Sequence, residues 1–331
     1  MNRCVIACDI GGTKLKSGLI APSGEIVDQL EGASCANEGP AGILATAQGL
    51  IRAMLGRNQI DQIPGAGVAT SGAVDKAQGV IRSSADFMPG WHGFEIKKSF
   101  ESMLALMQTP GQTPGRARHV VVDNDGNCAL HAEVRRQSLE RGDVVLLALG
   151  TGLGGAIYAN GRVREGASAL SGHFGQTLVG VATSPDEWRK LETYLSGSGL
   201  ATLARQVLQE CGHQADPAAR FPDGHSVISA MPSSDVARAA LSRWARLLAI
   251  TCHNIQWNYD PETIIIGGGM IEAKEAWWAD FSQALISINR QFRLHREMDV
   301  RPATLGNDAA MVGAGLMAWE TLEAADREDV S

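Results

Sequence analysis

The chain has 331 residues, of which 44% are hydrophobic and 20% are charged, and it contains 38 glycines and 12 prolines. This composition excludes a disordered or fibrous protein, and the length favours two lobes with a cleft between them. The net charge of −7 argues against the basic surface that nucleic-acid binding requires, so we expect no nucleic-acid partner.

The first part of the chain predicts a strand meander followed by a helix. Residues 4–32 read as three strands joined at glycine turns, and residues 40–56 carry apolar side chains at helical spacing. A buried strand is predicted over 63–75, and an amphipathic helix is predicted to begin near residue 94. The Pro/Gly-rich stretch at 108–116 indicates a surface loop.

A second cycle of the same pattern follows. Residues 119–136 predict a strand, a polar turn and a helix, and residues 143–163 predict two strands around a glycine turn, closed by an Asn160-Gly161 hairpin turn. Helices dominate 184–258, a buried strand ends at Gly267, and a last helix closes the chain. The chain therefore consists of two related halves.

The cysteines and apolar segments indicate the compartment. The six cysteines form neither a CxxC pair nor a Cys/His cluster with metal-binding spacing. No apolar run reaches the roughly 18 residues of a membrane helix, and no leader precedes the first predicted strand. We expect a cytoplasmic protein with reduced thiols and no membrane partner.

Glycine turns mark the candidate nucleotide site. The run from Gly150 to Gly155 satisfies GxGxxG, but a strand follows it where a dinucleotide fingerprint needs a helix, and Leu170 stands where the acidic residue belongs. The remaining geometry, a glycine turn with free backbone N–H groups, suits phosphate. Gly11-Gly12-Thr13 occupies the matching place in the first half, and Gly267-Gly268-Gly269 forms a third cluster. Any one turn is most simply a close strand connection, but three together suit a nucleotide.

Several motifs carry a family resemblance. DIGGTK (9–14), LGTGLGGAI (149–157) and DPETIIIGGG (260–269) resemble the phosphate-1, phosphate-2 and adenosine segments of the actin-like ATPase superfold. VDNDGNCALHAE (122–133), GVIRSSADFMPGW (79–91) and LGNDAAMVGAGL (305–316) are similar to segments of sugar kinases of the ROK (repressor, open reading frame, kinase) family. The resemblance implies a two-lobed α/β, ribonuclease H-like fold with a mixed sheet in each lobe. It implies a small α/β lobe over 1–118, joined by a C-terminal helix at about 307–325, and a larger α/β lobe over 119–306.

The resemblance also implies an activity and a set of site residues. It implies ATP-dependent phosphorylation of a hexose or hexose derivative at the 6-hydroxyl, with Asp125 as general base and a homodimer as the assembly. The implied sugar-binding residues are Gly72, Asn124, His173 and Glu192. The implied ATP-binding residues are Asp9, Gly11, Gly12, Thr13, Lys14, Thr151, Gly152, Gly154, Gly267 and Gly268. Asp9 would hold Mg²⁺ through water. Without the neighbouring motifs, residues 124–127 would read as an Asx-rich helix cap.

Residues 169–190 depart from the family pattern. Family members often carry GEIGH followed by a CxCGxxGCxE segment, whose cysteines and histidine bind zinc. Here the first part reads ALSGH, with Leu170 in place of the glutamate, and the cysteine segment is missing. A tetrahedral site needs about four ligands, so we expect no structural zinc. An isolated histidine is more often structural than a ligand, but the matching position implies that His173 contacts the sugar.

The same departures affect the substrate and leave two alternatives open. Leu170, Ser71 and Ala85 replace residues common in the family, which indicates a different sugar. A regulator of the same family would carry a helix-turn-helix segment before the kinase part, and the first strand at residue 3 leaves no room for one. A catalytically degenerate sugar-sensing or regulatory protein is the remaining alternative, although the retained Asp9, Asn124 and Asp125 argue against it.

Overall fold

The computed structural model divides the chain into two compact units, each described here by itself. The structure describes residues 3–83, 88–107, 119–180, 188–212, 217–293 and 296–328. The first unit comprises Met1–Ser138, Glu165–Ser171 and Asp308–Ser331, and the second comprises Leu139–Arg164 and Gly172–Asn307. The Pro/Gly-rich stretch at 108–116 and Ala85 lie outside the described residues.

The first unit is built on a mixed sheet. Its described strands are β1 (Val5–Ile10), β2 (Lys14–Ile20), β3 (Ile26–Ala33), β4 (Gly65–Thr70), β5 (Ala73–Asp75), β6 (Val80–Ser83) and β7 (His119–Asn124). The main sheet runs in the order β3-β2-β1-β4-β7, and β5 and β6 form a separate hairpin. β1 pairs antiparallel with β2 but parallel with β4, which pairs parallel with β7. The carboxyl ends of β1, β4 and β7 therefore meet at one edge.

Helices cover both faces of this sheet. They are α1 (Gly39–Arg57), α2 (Ile96–Leu106), α3 (Asp125–Arg136) and α9 (Ala309–Glu328). α1 follows from its sequence, because Ile43, Ala47, Ile51 and Met54 recur at helical spacing and are all buried. β4 is buried at all six positions, as expected for a strand with helices on both sides.

The second unit repeats this architecture. Its described strands are β8 (Val144–Leu149), β9 (Leu153–Ala159), β10 (Arg162–Val163), β11 (Leu178–Val179), β12 (Arg189–Lys190), β13 (Thr263–Gly267) and β14 (Asp299–Pro302). The main sheet runs β10-β9-β8-β13-β14, with an antiparallel hairpin followed by parallel strands. The order matches β3-β2-β1-β4-β7 strand for strand. The two related halves predicted from the glycine turns are confirmed.

The helices of the second unit hold a large apolar core. They are α4 (Gly197–Glu210), α5 (Pro217–Arg220), α6 (Gly224–Ala230), α7 (Asp235–Tyr259) and α8 (Trp278–Gln291). Trp244 on α7 and Trp277 just before α8 are fully buried, with ring centroids 5.3 Å apart.

The predicted fold class, α/β with a mixed sheet in each of two lobes, is confirmed. No helix of the described residues is long and apolar enough to cross a membrane.

The limits of the first unit differ from the sequence prediction. The boundary expected at residue 118 falls inside the unit, which continues to Ser138. The physical reason is the parallel pairing of β7 with β4, from Gly65 opposite His119 to Thr70 opposite Asn124. Local sequence did not show this, because the partner strand lies some 50 residues earlier in the chain. The terminal helix, expected at about 307–325, spans Ala309–Glu328 and belongs to this unit.

Close backbone approach holds α9 in place. A Cβ atom at Gly67 on β4 would lie 1.9 Å from the Ala314 carbonyl oxygen, and one at Gly313 on α9 would lie 1.8 Å from the Cys128 carbonyl oxygen. Neither distance leaves room for a side chain. The small residues of β4 (GAGVAT, 65–70) and of α9 (MVGAGL, 311–316) thus let the backbone of α9 pack closely against β4 and α3.

We expect Gly313→Ala to lower the free energy of unfolding by about 3 kcal/mol, because the added methyl group collides with a main-chain atom that cannot rotate away. Gly49→Ala is the matched control, since Gly49 lies exposed within α1 with no atom near its would-be Cβ. The control should raise the free energy of unfolding by about 0.5–1 kcal/mol. Chemical denaturation of both variants measures the difference, and equal effects would contradict this packing.

Candidate active site

Asp125 stands at the first position of α3, at the carboxyl edge of the sheet. Asn124 is the N-cap, and its side-chain oxygen accepts hydrogen bonds from the backbone N–H groups of Gly126 (2.9 Å) and Asn127 (3.3 Å). Asn is among the preferred N-cap residues because it satisfies N–H groups that have no helical partner. The positive end of the helix dipole also favours a carboxylate at this position. Strand β7 and the cap together fix the Asp125 backbone.

Two hydrogen bonds orient the Asp125 carboxylate. The Ser71 hydroxyl donates to Oδ2 (3.1 Å), and the Gly126 backbone N–H donates to Oδ1 (2.8 Å). With one donor on each oxygen, the carboxylate is held in a single orientation. Ser71 follows β4, and β4 pairs parallel with β7, so the hydroxyl reaches Asp125 through sheet register.

The other implied residues of this edge lie beside Asp125. The Asn124 side-chain amide donates to the Gly72 carbonyl oxygen (3.0 Å), so the two implied sugar-binding residues of the first unit touch each other. Asp9 lies near the end of β1, in register with Ala69 of β4. Burial raises the pKa of Asp9 to about 7, and the charge of Asp125 adds to this rise, while Lys16 opposes it. The structure thus brings two carboxyl groups within electrostatic range of each other.

The donor set at this edge fits a hard divalent cation. Carboxylate oxygens are ligands that Mg²⁺ prefers, and burial together with the charge of Asp125 raises the pKa of Asp9 more than Lys16 lowers it. Asp308 adds to this charge, although its own carboxylate pairs with the Lys16 ammonium at 2.8 Å. Among the residues that the structure describes, no three His, Cys, Asp or Glu side chains form a ready-made metal cluster. Binding through water at Asp9 is compatible with this arrangement.

Ser34 forms two hydrogen bonds to the first glycine turn, Gly11-Gly12-Thr13. The Ser34 hydroxyl donates to the Gly12 carbonyl oxygen (2.7 Å), and its backbone N–H donates to the Thr13 carbonyl oxygen (3.0 Å). Within the turn, the Gly11 N–H donates to the Lys14 carbonyl oxygen. The Lys14 ammonium is exposed and pairs with Glu31 on β3 at 2.6 Å. Hydrogen bonds therefore support the backbone of the turn, and the Lys14 ammonium pairs with a carboxylate of the neighbouring strand.

The second glycine turn lies next to the third within the second unit. The Gly150 N–H donates to the Gly152 carbonyl oxygen, and the Gly197 N–H at the start of α4 donates to the Gly150 carbonyl oxygen (2.8 Å). The Ser198 hydroxyl donates to the Thr151 carbonyl oxygen (2.7 Å).

Parallel pairing of β8 and β13 places the glycines after β13 beside this turn. Gly267 lies opposite Ala148, and a Cβ atom at Gly268 would lie 2.5 Å from the Leu149 carbonyl oxygen. With φ of 81°, Gly268 also has a left-handed backbone. Thr151, Gly152 and Gly154 are exposed at this place.

The implied sugar-binding residues of the second unit flank a short 3-10 helix (Phe174–Gln176). His173 caps that helix, and its Nδ1 atom is buried without a hydrogen-bond partner among the described residues. Glu192 accepts from the Gln176 side-chain amide (2.9 Å). The other Glu192 oxygen would lie 3.0 Å from a Cβ at Gly152, which places this carboxylate against the second glycine turn. Leu170 is 56% exposed.

Sequence reasoning missed the residues that support this site. Ser34, Asp123 and Ser198 each hold a motif residue by a hydrogen bond, and Lys76 forms an ion pair with Asp123. Ser198 had no local sequence signal, because the N-cap of α4 is Ser196 and not Ser198. Lys76 had no local sequence signal either, since its partner lies 47 positions later in the chain.

Comparison with known proteins agrees with the motifs. The profile described as "ROK family" matches residues 5–321. A glucokinase of Halalkalibacterium halodurans is 29% identical over 95% of this chain and 94% of its own length. An N-acetylmannosamine kinase of Escherichia coli O1:K1 is 26% identical over 95% of this chain and 97% of its own length.

Solved structures share the fold. A ROK family glucokinase from Streptomyces griseus, crystallised with glucose and AMPPNP, matches with a TM-score of 0.74 and 23% identity over 96% of this chain and 99% of its own. A ROK family transcriptional regulator homologous to the E. coli MLC protein matches with a TM-score of 0.72 and 18% identity over 96% of this chain and 78% of its own. Because the family profile spans nearly the whole chain, the protein belongs to the ROK family.

Proposed function

We propose that this protein transfers the γ-phosphoryl group of ATP to a hexose or hexose derivative, at the 6-hydroxyl, with Asp125 as general base. The named kinases among its relatives support the reaction class. The observation that carries the proposal is the Asp125 carboxylate, fixed at the start of α3 and oriented by Ser71 and Gly126.

Asp125 supplies what this reaction needs from the protein. A primary hydroxyl is a weak nucleophile, and a carboxylate within hydrogen-bond reach accepts its proton as the phosphoryl group moves. Asn124 lies next to the base and would orient the sugar through neighbouring hydroxyls. Its amide nitrogen is held by the Gly72 carbonyl oxygen, so the sugar would meet a preset polar surface.

The glycine turns would hold the nucleotide. In the first unit, Gly12 and Thr13 would direct backbone N–H groups toward phosphate oxygens, and in the second unit Thr151 and Gly152 would do the same. Gly11, whose own N–H donates to the Lys14 carbonyl oxygen, and Gly154 would shape these turns. Gly267 and Gly268 offer a surface without side chains for the adenosine. Asp9 would hold Mg²⁺ through water. When bound, Mg²⁺ offsets the negative charge of the transferred phosphoryl group.

His173 and Glu192 would bind the sugar hydroxyls. No described residue bonds the buried Nδ1 of His173, which supports a polar ligand there, because such an atom is costly unless a ligand or water completes it. The exposed Leu170 offers no hydrogen-bond acceptor, which favours a sugar that lacks a hydroxyl at that place or carries an apolar substituent. A sugar-sensing protein without catalysis is the alternative.

We expect one or more hexoses or N-acetylhexosamines to stimulate ADP release from Mg-ATP, measured by a coupled assay over a sugar panel. Asp125→Asn should lower the kcat of the best sugar by about 10²–10⁴-fold, because the amide cannot accept the proton. Sugar binding measured by calorimetry should persist in this variant.

Asp235→Asn is the matched control for this variant. Asp235 also occupies the first position of a capped helix, but its side chain is 97% exposed. Its kcat should stay within about twofold of the parent value, since surface substitutions away from special features have small effects. Turnover that is independent of sugar, or an unchanged kcat in Asp125→Asn, would contradict the proposed chemistry.

We also expect a pH signature of Asp9 in protein free of nucleotide and divalent cations. Because the native pKa is about 7 and the usual value is 3.8, the native state binds the extra proton between these pH values. The free energy of unfolding should therefore fall as pH rises from about 4 to 7. Asp9→Asn removes this pH-dependent decrease, so at pH 8 its free energy of unfolding should exceed that of the parent protein by about 2–4 kcal/mol. Denaturation curves that show the same pH slope for both proteins would contradict this.

Metal analysis tests the expected lack of zinc. Protein purified without added metal should contain well under one zinc per chain by mass spectrometry of the elements. EDTA should abolish sugar-dependent turnover, and Mg²⁺ alone should restore it, because the proposed cation is exchangeable. One tightly held zinc per chain would contradict this expectation.

A further inference from the structure

Lys76 lies between two carboxylates just behind the Asp125 turn. Its ammonium nitrogen is 2.5 Å from Asp123 Oδ2 and 3.2 Å from Glu165 Oε1. The Asp123 side chain is 2% exposed, whereas that of Glu165 is 48% exposed. Lys76 follows β5 and Asp123 belongs to β7, so residues distant in sequence form this ion pair.

Asp123 holds the turn that carries the proposed base. Its Oδ1 atom accepts from the Asn124 backbone N–H (2.7 Å) and from the Asn127 side-chain amide (2.8 Å). These bonds fix the residues on either side of Asp125. Its Oδ2 atom faces the Lys76 ammonium at 2.5 Å, so this ion pair engages the second carboxylate oxygen.

A buried carboxylate of this kind needs a compensating charge. Burial raises the pKa of the Asp123 carboxyl, and Lys76 is the strongest influence that opposes the rise. Without the ammonium group, the carboxylate would be uncompensated in an apolar setting and would gain a proton. A protonated carboxyl group is a donor as well as an acceptor, so its bonds to Asn124 and Asn127 would rearrange.

Lys76 also contacts the segment that carries Leu170. Glu165 begins the stretch Glu165–Ser171, which belongs to the first unit although its sequence neighbours on both sides belong to the second. The Ser171 N–H donates to the Glu165 carbonyl oxygen (3.2 Å), which closes this stretch into a loop. The ion pair with Lys76 therefore attaches the loop beside the base-bearing turn.

We propose that Lys76 is a positioning residue of the phosphoryl-transfer site, which pairs with the Asp123 carboxylate so that Asn124 and Asp125 stay in place, and which anchors the Glu165–Ser171 loop through Glu165. This inference rests on the proposed kinase function. Lys76 touches neither the hydroxyl nor the nucleotide in this role. It acts through the Asp123 carboxylate, and a displacement of a base by about 1 Å lowers rates by about 10²-fold.

Single substitutions separate the two contacts. Lys76→Met should lower kcat by about 10–100-fold, because the base-bearing turn shifts. Lys76→Arg keeps the charge and should recover most of that loss. Glu165→Gln leaves the buried pair intact, so kcat should stay within about twofold while the KM for the sugar rises severalfold, because the loop is less firmly held. Lys98→Met is the control, since Lys98 belongs to an exposed pair with Glu95 on the surface of the same unit.

A double-mutant cycle tests the charge compensation itself. In Asp123→Asn, the amide oxygen can still accept from Asn124 and Asn127, but the amide nitrogen faces the Lys76 ammonium. The combination Lys76→Met with Asp123→Asn removes both charges, so it should regain at least tenfold in kcat over Lys76→Met alone. Its melting temperature should also exceed that of either single variant, which gives a readout independent of activity.

The outcomes distinguish the positioning role from the kinase function. A parent protein that phosphorylates no sugar refutes the function, and the melting temperatures of the cycle still show whether Lys76 compensates Asp123. Parent-like kcat in Lys76→Met overturns the positioning role. A double variant no better than Lys76→Met in either kcat or melting temperature overturns charge compensation. If Lys76→Met fails to fold while the double variant folds, charge compensation is supported.

Discussion

Parallel pairing of β1, β4 and β7 is the constraint on which the proposed catalytic edge depends. Parallel strands end at the same edge of a sheet, and the register sets Ile10 opposite Thr70 and Thr70 opposite Asn124. The residues that follow these strands are therefore neighbours, although more than 50 positions separate each from the next. Ligands of open α/β sheets commonly bind at such an edge. No single motif could form this site without the register.

The same logic builds the second unit from different residues. β8 and β13 pair in parallel, which places the turn after Leu149 beside Gly268. The duplicated strand order gives each unit one glycine hairpin followed by two parallel strands, and in the first unit the outer of these, β7, leads into the capped acidic residue Asp125. Duplication thus supplies two glycine turns, and divergence supplies the capped carboxylate.

Placing several carboxylates together at one sheet edge has an unfavourable electrostatic free energy. Asp9, Asp123 and Asp125 all lie at or near one sheet edge, and the electrostatic cost is visible in the raised pKa values of Asp9 and Asp123. The Lys76 ammonium pairs with Asp123, and Lys16 opposes the rise in the pKa of Asp9.

The sequence by itself determined the strand and helix order, the duplication and the motif residues. Glycine turns, helical periodicity and the Asn-Asp cap are local features. Such features can be recognised from neighbouring residues, without knowledge of which distant strand pairs with them. Tertiary structure alone decided the boundary of the first unit, the Ser71 contact to Asp125 and the Lys76 ion pair with Asp123, because each depends on strand register between distant segments. It also decided the direction of the Lys14 side chain, which pairs with Glu31 across a hairpin. Register is a long-range property, and no run of neighbouring residues records it.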